Sequence, residues 1–124
     1  MLSATEIQEA LTHFHGSETV HTLEMYDPKV IFFTEGVQYL QDSADCFWLI
    51  NAIASHQSQI FPPANNFQVW HLVVDGTAAL LTCEDGNGNQ LARQEIRNTD
   101  FPLPEIKIWV TTRDRIFLLL PSEY

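Results

Sequence analysis

Near the start of the chain, apolar residues return every third or fourth position. Ile7, Ala10, Leu11 and Phe14 fall at the spacing that gathers side chains on one face of an α-helix. Ser3 and Glu6 stand in the capping-box relation, in which each side chain accepts from the other residue's backbone N–H. Gly16 is placed to end that helix. The broadest apolar face belongs to a second stretch, Asp42 to Gln57. At about 100° per residue, Leu49, Ile53, Cys46, Ile50, Ala54 and Phe47 share one side, while Asp45 and His56 take the other and Trp48 the margin. So wide a face predicts a helix lying in a concave sheet, capped by Asp42 or Ser43.

Elsewhere the period shortens to that of strands. Ser17 to Asp27 fits neither period cleanly, and Asp27-Pro28 marks a turn. Val30 to Thr34 is a β-branched and aromatic run that predicts a short strand. Glu35-Gly36 interrupts it, and Val37 to Leu40 is expected to form a helical turn before the central helix. Pro62-Pro63-Ala64-Asn65-Asn66 breaks the chain, and beyond it strands follow one another. They are Phe67 to Val74, Thr77 to Glu84, Gln90 to Asn98, Ile106 to Thr112 and Ile116 to Leu120. Asp75-Gly76, the Asp85-Gly86-Asn87-Gly88-Asn89 loop and Arg113-Asp114 supply hairpin turns, and Pro102 and Pro104 force an extended crossing.

That order predicts a single α+β domain over residues 1–124, with an antiparallel meander sheet of about five to six strands and two to three helices on one face. The strands are apolar on both sides. Phe67, Val69, His71 and Val73 alternate with Gln68, Trp70, Leu72 and Val74, so a face left uncovered by helices must meet something else. A homodimer through the sheet is the simplest expectation, because an identical partner is always present.

Charge adds one constraint. Sixteen acidic residues against six basic ones give a formal net charge of −10, which repels nucleic-acid backbones and anionic membrane surfaces. Direct nucleic-acid binding and membrane association are therefore not expected. A basic protein partner is compatible with this charge, but the acids are scattered rather than in a run, which weakens any imitation of nucleic acid. The start of the chain lacks a basic region followed by an apolar run, and Ile116 to Leu120, the longest apolar stretch, is strand-sized. Cys46 and Cys83 sit in apolar segments without metal-ligand spacing, as buried free thiols of a reduced cytosol do. The expected setting is the cytoplasm.

Candidate chemistry is sparse. The Asp85 to Asn89 loop has calcium-loop-like oxygens, but Gln90 and Ile96 stand where an EF-hand needs Gly and Glu, so a hairpin is expected. His13 and His15 diverge on a helix, and His56 reads as a helix C-terminal cap. His71, mid-strand between apolar neighbours, needs a partner or a pocket. Trp70 and Trp109, with His71, are the ligand-binding candidates, although tryptophans more often fill cores. Glu84, Asp85, Glu95 and Asp100 read as solvated strand ends. There is no Ser-His-Asp order, nucleophile elbow, Cys-His pairing, phosphate-cradling loop or HExxH, and no catalytic residue, metal site or cofactor is expected.

Six blocks occur together in order: Thr34-Glu35-Gly36-Val37-Gln38-Tyr39-Leu40, Trp48 through Gln57, Phe67-Gln68-Val69-Trp70, Asp85 through Asn89, Thr99-Asp100-Phe101-Pro102-Leu103 and Leu119 through Tyr124. Over roughly Val30 to Tyr124 they resemble a bacterial family, with cyanobacterial members, known as a domain of unknown function. The resemblance implies a small cytoplasmic bacterial protein and carries over no activity and no site residue. The leading expectation is a non-enzymatic binding or interaction module acting as an acidic homodimer. The alternatives are a cone-like α+β fold whose pocket, reached by Trp70, His71 or Trp109, serves a small ligand or an enzyme, and an acidic nucleic-acid mimic that blocks a basic protein.

Overall fold

The structure, a computed structural model, describes residues 3–14, 20–24, 30–57, 67–112 and 115–124. In chain order its elements are α1 (Ala4–Leu11), β1 (Val20–Glu24), β2 (Val30–Thr34), α2 (Glu35–Ser43), α3 (Phe47–His56), β3 (Phe67–Asp75), β4 (Ala78–Glu84), β5 (Gln90–Ile96), β6 (Glu105–Thr111) and β7 (Phe117–Leu119), closed by a 3-10 turn at Pro121–Glu123. Seven strands form one mixed sheet in the order β1-β2-β7-β6-β3-β4-β5. The sheet is therefore α+β as expected, but it has seven strands rather than five to six and is not a plain meander. Strands consecutive in sequence are neighbours in three runs, β1-β2, β3-β4-β5 and β6-β7. After β5 the chain crosses back to β6 on the far side of β3, and β7 then pairs parallel to β2.

The additional strand is β1, antiparallel to β2 from Val20↔Thr34 to Glu24↔Val30. It lies at the sheet edge with Thr22 and Glu24 exposed, so its sequence shows no clean alternation. The second correction concerns the stretch from Asp42 to Gln57, which is two helices. Thr34 caps α2 by accepting from the Val37 N–H at 3.3 Å, so Glu35-Gly36, where the strand ends as expected, also begins a helix. The break falls at Asp45, whose φ of +50° is left-handed. The Cys46 N–H then closes back onto Gln41 O at 3.0 Å, the long bond of a Schellman ending with aspartate in glycine's usual place. Asp42 and Ser43 thus end α2 rather than cap the next helix. Cys46 is the N-cap of α3 and makes no side-chain cap bond. Phe47, expected on the buried face, is 49% exposed.

Helix α1 carries the expected capping box, with Glu6 N donating to Ser3 Oγ at 3.2 Å and Ser3 N to Glu6 Oε1 at 3.4 Å. It stops at Leu11, where the Thr12 hydroxyl donates to Glu9 O at 2.7 Å. Gly16, Asp27-Pro28, Pro62 to Asn66 and Arg113-Asp114 lie outside the described residues. All three helices share one core with the inner face of the sheet. Ile7, Val37, Leu40, Leu49, Ile50 and Ile53 are fully buried against Ile31, Trp70, Leu72, Leu81, Ile108 and Leu118. The crossing from β5 to β6 closes one end of that core. Phe101 and Leu103 are buried there, Phe101 edge-on to Trp48, and Val74 N donates to Pro104 O at 2.9 Å.

Candidate functional site

Strand register decides which side chains meet, because directly opposed residues of a sheet point the same way. Trp70 opposes Cys83 on β4 and Ile108 on β6, and all three are buried on the helix side. His71 opposes Thr82 and Lys107, and Val69 opposes Glu84 and Trp109, so these residues share the outer face. The candidates therefore separate. His71 and Trp109 lie on the outer face, whereas Trp70 points into the core. A pocket between helix and sheet would lie on Trp70's side, and there the space is filled by Leu49, Ile50 and Ile53 against Leu72 and Leu81.

On the outer face, His71 Nε2 is 2.9 Å from Glu105 Oε2, with side-chain exposures of 29% and 61%. Beside this pair is a small polar cavity of about 90 Å³ lined by Val69, His71, Thr82, Glu84 and Lys107. One strand-spacing along, Phe67, Trp109 and Tyr124 form a three-ring cluster of edge-on contacts with centroids 5.2 to 5.9 Å apart. Arg115 lies over the rings of Phe32 and Phe117 at 4.5 and 5.3 Å. Arg115 thus covers part of the apolar surface that alternation places on this side, while Val73 stays 43% exposed. Among the described residues, no group of three or more His, Cys, Asp and Glu is placed to hold a metal ion.

Charge is divided between the layers. The four described Lys and Arg side chains belong to the sheet and its ends: Arg93 and Lys107 on the outer face, Arg97 just past β5, and Arg115 over the rings. Helices α1 and α2 contain Glu6, Glu9, Glu35 and Asp42 and no basic residue. Helix α2 sits over the β1-β2-β7 side, and α1 packs against α2. Helix α3 carries no acidic residue, and its His56 reaches β5, with Nε2 2.8 Å from Gln94 Oε1 and its ring 5.5 Å from that of Trp70.

Two polar constellations escaped the sequence reading. The first joins α3 to β3. Gln57 and Gln68 exchange reciprocal amide bonds at 2.9 Å, Gln57 Nε2 also donates to Ile53 O at 3.1 Å, and Trp70 Nε1 donates to Gln68 Oε1 at 2.8 Å. Both glutamines are buried, so each satisfies the other where water cannot. The second ties the end of the chain to α2. Glu123 accepts from the Thr34 hydroxyl, from Gly36 N at 3.3 Å and from Leu120 N at 3.0 Å. A carboxylate here complements the positive end of α2. A Cβ on Gly36 would lie 2.6 Å from Glu123 Oε1, which explains why glycine stands at this position. The available signal was an unexplained Thr-Glu-Gly beside an unexplained terminal Glu, which no local rule connects.

Asp85 and the two cysteines have structural surroundings. In the β4–β5 hairpin, Asp85 accepts from Asn87 N at 2.8 Å, Asn89 N at 3.2 Å and Asn89 Nδ2 at 2.8 Å, and Gly86 and Gly88 supply φ of +88°. The Asn89 side chain, followed by the Asn87 N–H, holds the Asp85 carboxyl below its ordinary range. The carboxylate is turned to its own loop, as the hairpin reading requires. Burial, reinforced by Asp45, pushes the Cys46 thiol up to about 12, and burial with Glu84 and Asp85 does the same for Cys83. Both stay protonated and unreactive at neutral pH.

The six blocks singled out in the sequence meet one another in this fold. Thr34 and Gly36 meet Glu123, Gln57 meets Gln68, Trp48 meets Phe101, Gly86 approaches Phe67, and Phe67 meets Tyr124. Architecture and site together define an α+β domain with a seven-stranded mixed sheet, three helices on its inner face and an outer face of mixed charge and aromatic rings. Residues 5–124 match the family described as "Family of unknown function (DUF6876)", and the chain belongs to that family. No curated protein and no solved structure matches it. No described helix is long and apolar enough to cross a membrane.

Proposed function

We propose that the protein is a non-enzymatic binding module that acts as a cytoplasmic homodimer, its copies meeting through the sheet and its acidic helices turned outward toward a basic partner. The observation that carries this reading is the division of charge. Two copies of a chain with net charge −10 repel one another unless they meet where that charge is locally balanced. The sheet offers such a place, since Arg93, Lys107, Arg97 and Arg115 are there among Glu24, Asp75, Glu84, Glu95 and Glu105. Helices α1 and α2 offer only acids. His71 fits the same reading as one half of an open surface pair with Glu105. Sedimentation equilibrium across the micromolar range tests the proposal. The expected mass is twice 14.2 kDa, and a monomer at every concentration overturns the homodimer.

A further inference from the structure

Strand β5 ends the sheet, and among the described residues it has a strand neighbour on one side only. No proline or lysine blunts it, Leu91 is 38% exposed, and the bulge in its pairing with β4 falls at Leu91, which leaves Ala92 to Ile96 as the regular stretch open to a partner. Arg93 and Glu95 project from the outer face two positions apart, 54% and 73% exposed, with their charged ends 3.5 Å from each other. That spacing is self-complementary. We infer that two copies join edge to edge through antiparallel β5 strands related by a two-fold axis at Gln94, which makes one continuous sheet of both. This inference rests on the homodimer proposed above and specifies its interface.

Register follows from charge and from the two-residue period of a strand. An axis at Gln94 sets Arg93 opposite Glu95 of the second copy, twice over, on one face of the shared sheet. An axis at Arg93 or at Glu95 instead sets like charges opposite each other, which is unfavourable in a directly opposed pair, and an axis at Ile96, which would set Glu95 opposite Arg97, pairs beyond the end of the strand. Beside the seam is a groove of about 460 Å³ whose lining joins apolar Val73, Leu80 and Ile96 to charged Asp75, Arg93 and Glu95. On the helix side the seam falls by α3, which holds no acidic residue and whose His56 meets Gln94, while α2 stays over the opposite side of each sheet. Pairing supplies backbone hydrogen-bond partners to a strand that, among the described residues, has a strand neighbour on one side only.

Charge exchange tests this interface. Arg93→Glu and Glu95→Arg each place like charges opposite one another across the axis, and either one alone should weaken the dimer about tenfold or more in sedimentation equilibrium. The double variant R93E/E95R restores both opposite pairs and should return the dissociation constant to within about threefold of the original. Both sites are exposed, so circular dichroism should show the same fold in all three variants. A dimer indifferent to both single changes, or one that the double variant fails to restore, overturns the β5 interface and leaves the homodimer standing. If Val73→Lys on the outer face then dissociates it, the copies stack face to face instead. A monomeric parent protein overturns the homodimer itself.

Discussion

At the scale of single residues, several side chains do work that their immediate neighbours in sequence do not announce. Glu123 is the clearest case. Its carboxylate serves Thr34, Gly36 and Leu120 together, so Glu123→Ala leaves a helix start and a strand end without their acceptor. The expected cost is about 1–3 kcal/mol in urea unfolding. Gly36→Ala should cost a similar amount, about 1–3 kcal/mol, because a Cβ there meets Glu123 and the Leu120 side chain at 2.6 and 2.7 Å. The two buried cysteines set a different expectation. A folded-state pKa near 12, against an ordinary 9.0, means the folded protein holds the thiol protons more tightly than the unfolded chain does. Their contribution is complete below pH 9.0 and is lost as pH rises through about 12, so alkaline destabilisation should begin above about pH 9. Neither thiol should react with a disulfide reagent at pH 8 until the chain unfolds. Rapid reaction in the native state would show that the thiols are not buried as described.

At the scale of elements, periodicity located most of the sheet and misjudged one join. The strands from Phe67 onward were legible because turn residues bound each of them, and the hairpin dipeptide Asp75-Gly76 falls where β3 turns into β4, with Gly76 at a φ of +65°. The α2–α3 break was not legible. Apolar spacing runs almost unbroken through it, and the left-handed residue is Asp45 rather than glycine. Replacing Asp45 with glycine should therefore stabilise the fold by up to about 1 kcal/mol, and replacing it with valine should destabilise it by a similar amount. Strand order was equally hidden, since the parallel pairing of β2 with β7 joins segments more than eighty residues apart, for which no local signal exists. The same separation hid the site: alternation put Trp70 and His71 on opposite faces, and only register put Trp109 beside Val69. The Gln57–Gln68 pair locks α3 to β3, and Gln68→Leu alone strands the Gln57 amide and the Trp70 N–H. That change should cost about 2–3 kcal/mol. Adding Gln57→Leu should cost at least about 1 kcal/mol less than the sum of the single changes, as removal of both halves of a buried pair does.

At the scale of the whole molecule, the layers differ in what they offer to other molecules. Helices α1 and α2 present acids, and the sheet presents balanced charge, aromatic rings and an open edge. The proposed self-association through the sheet draws on that difference, and it predicts a salt response in which the opposed Arg93–Glu95 pairs weaken above about 0.5 M salt while backbone pairing persists. Native mass spectrometry of protein purified without chelator tests the central claim most directly, because it reads stoichiometry and bound ligand at once. The account predicts a dimer of twice 14.2 kDa with no added mass. A monomer, or a reproducible extra mass of metal or organic ligand, would contradict it and return attention to the cavity beside His71.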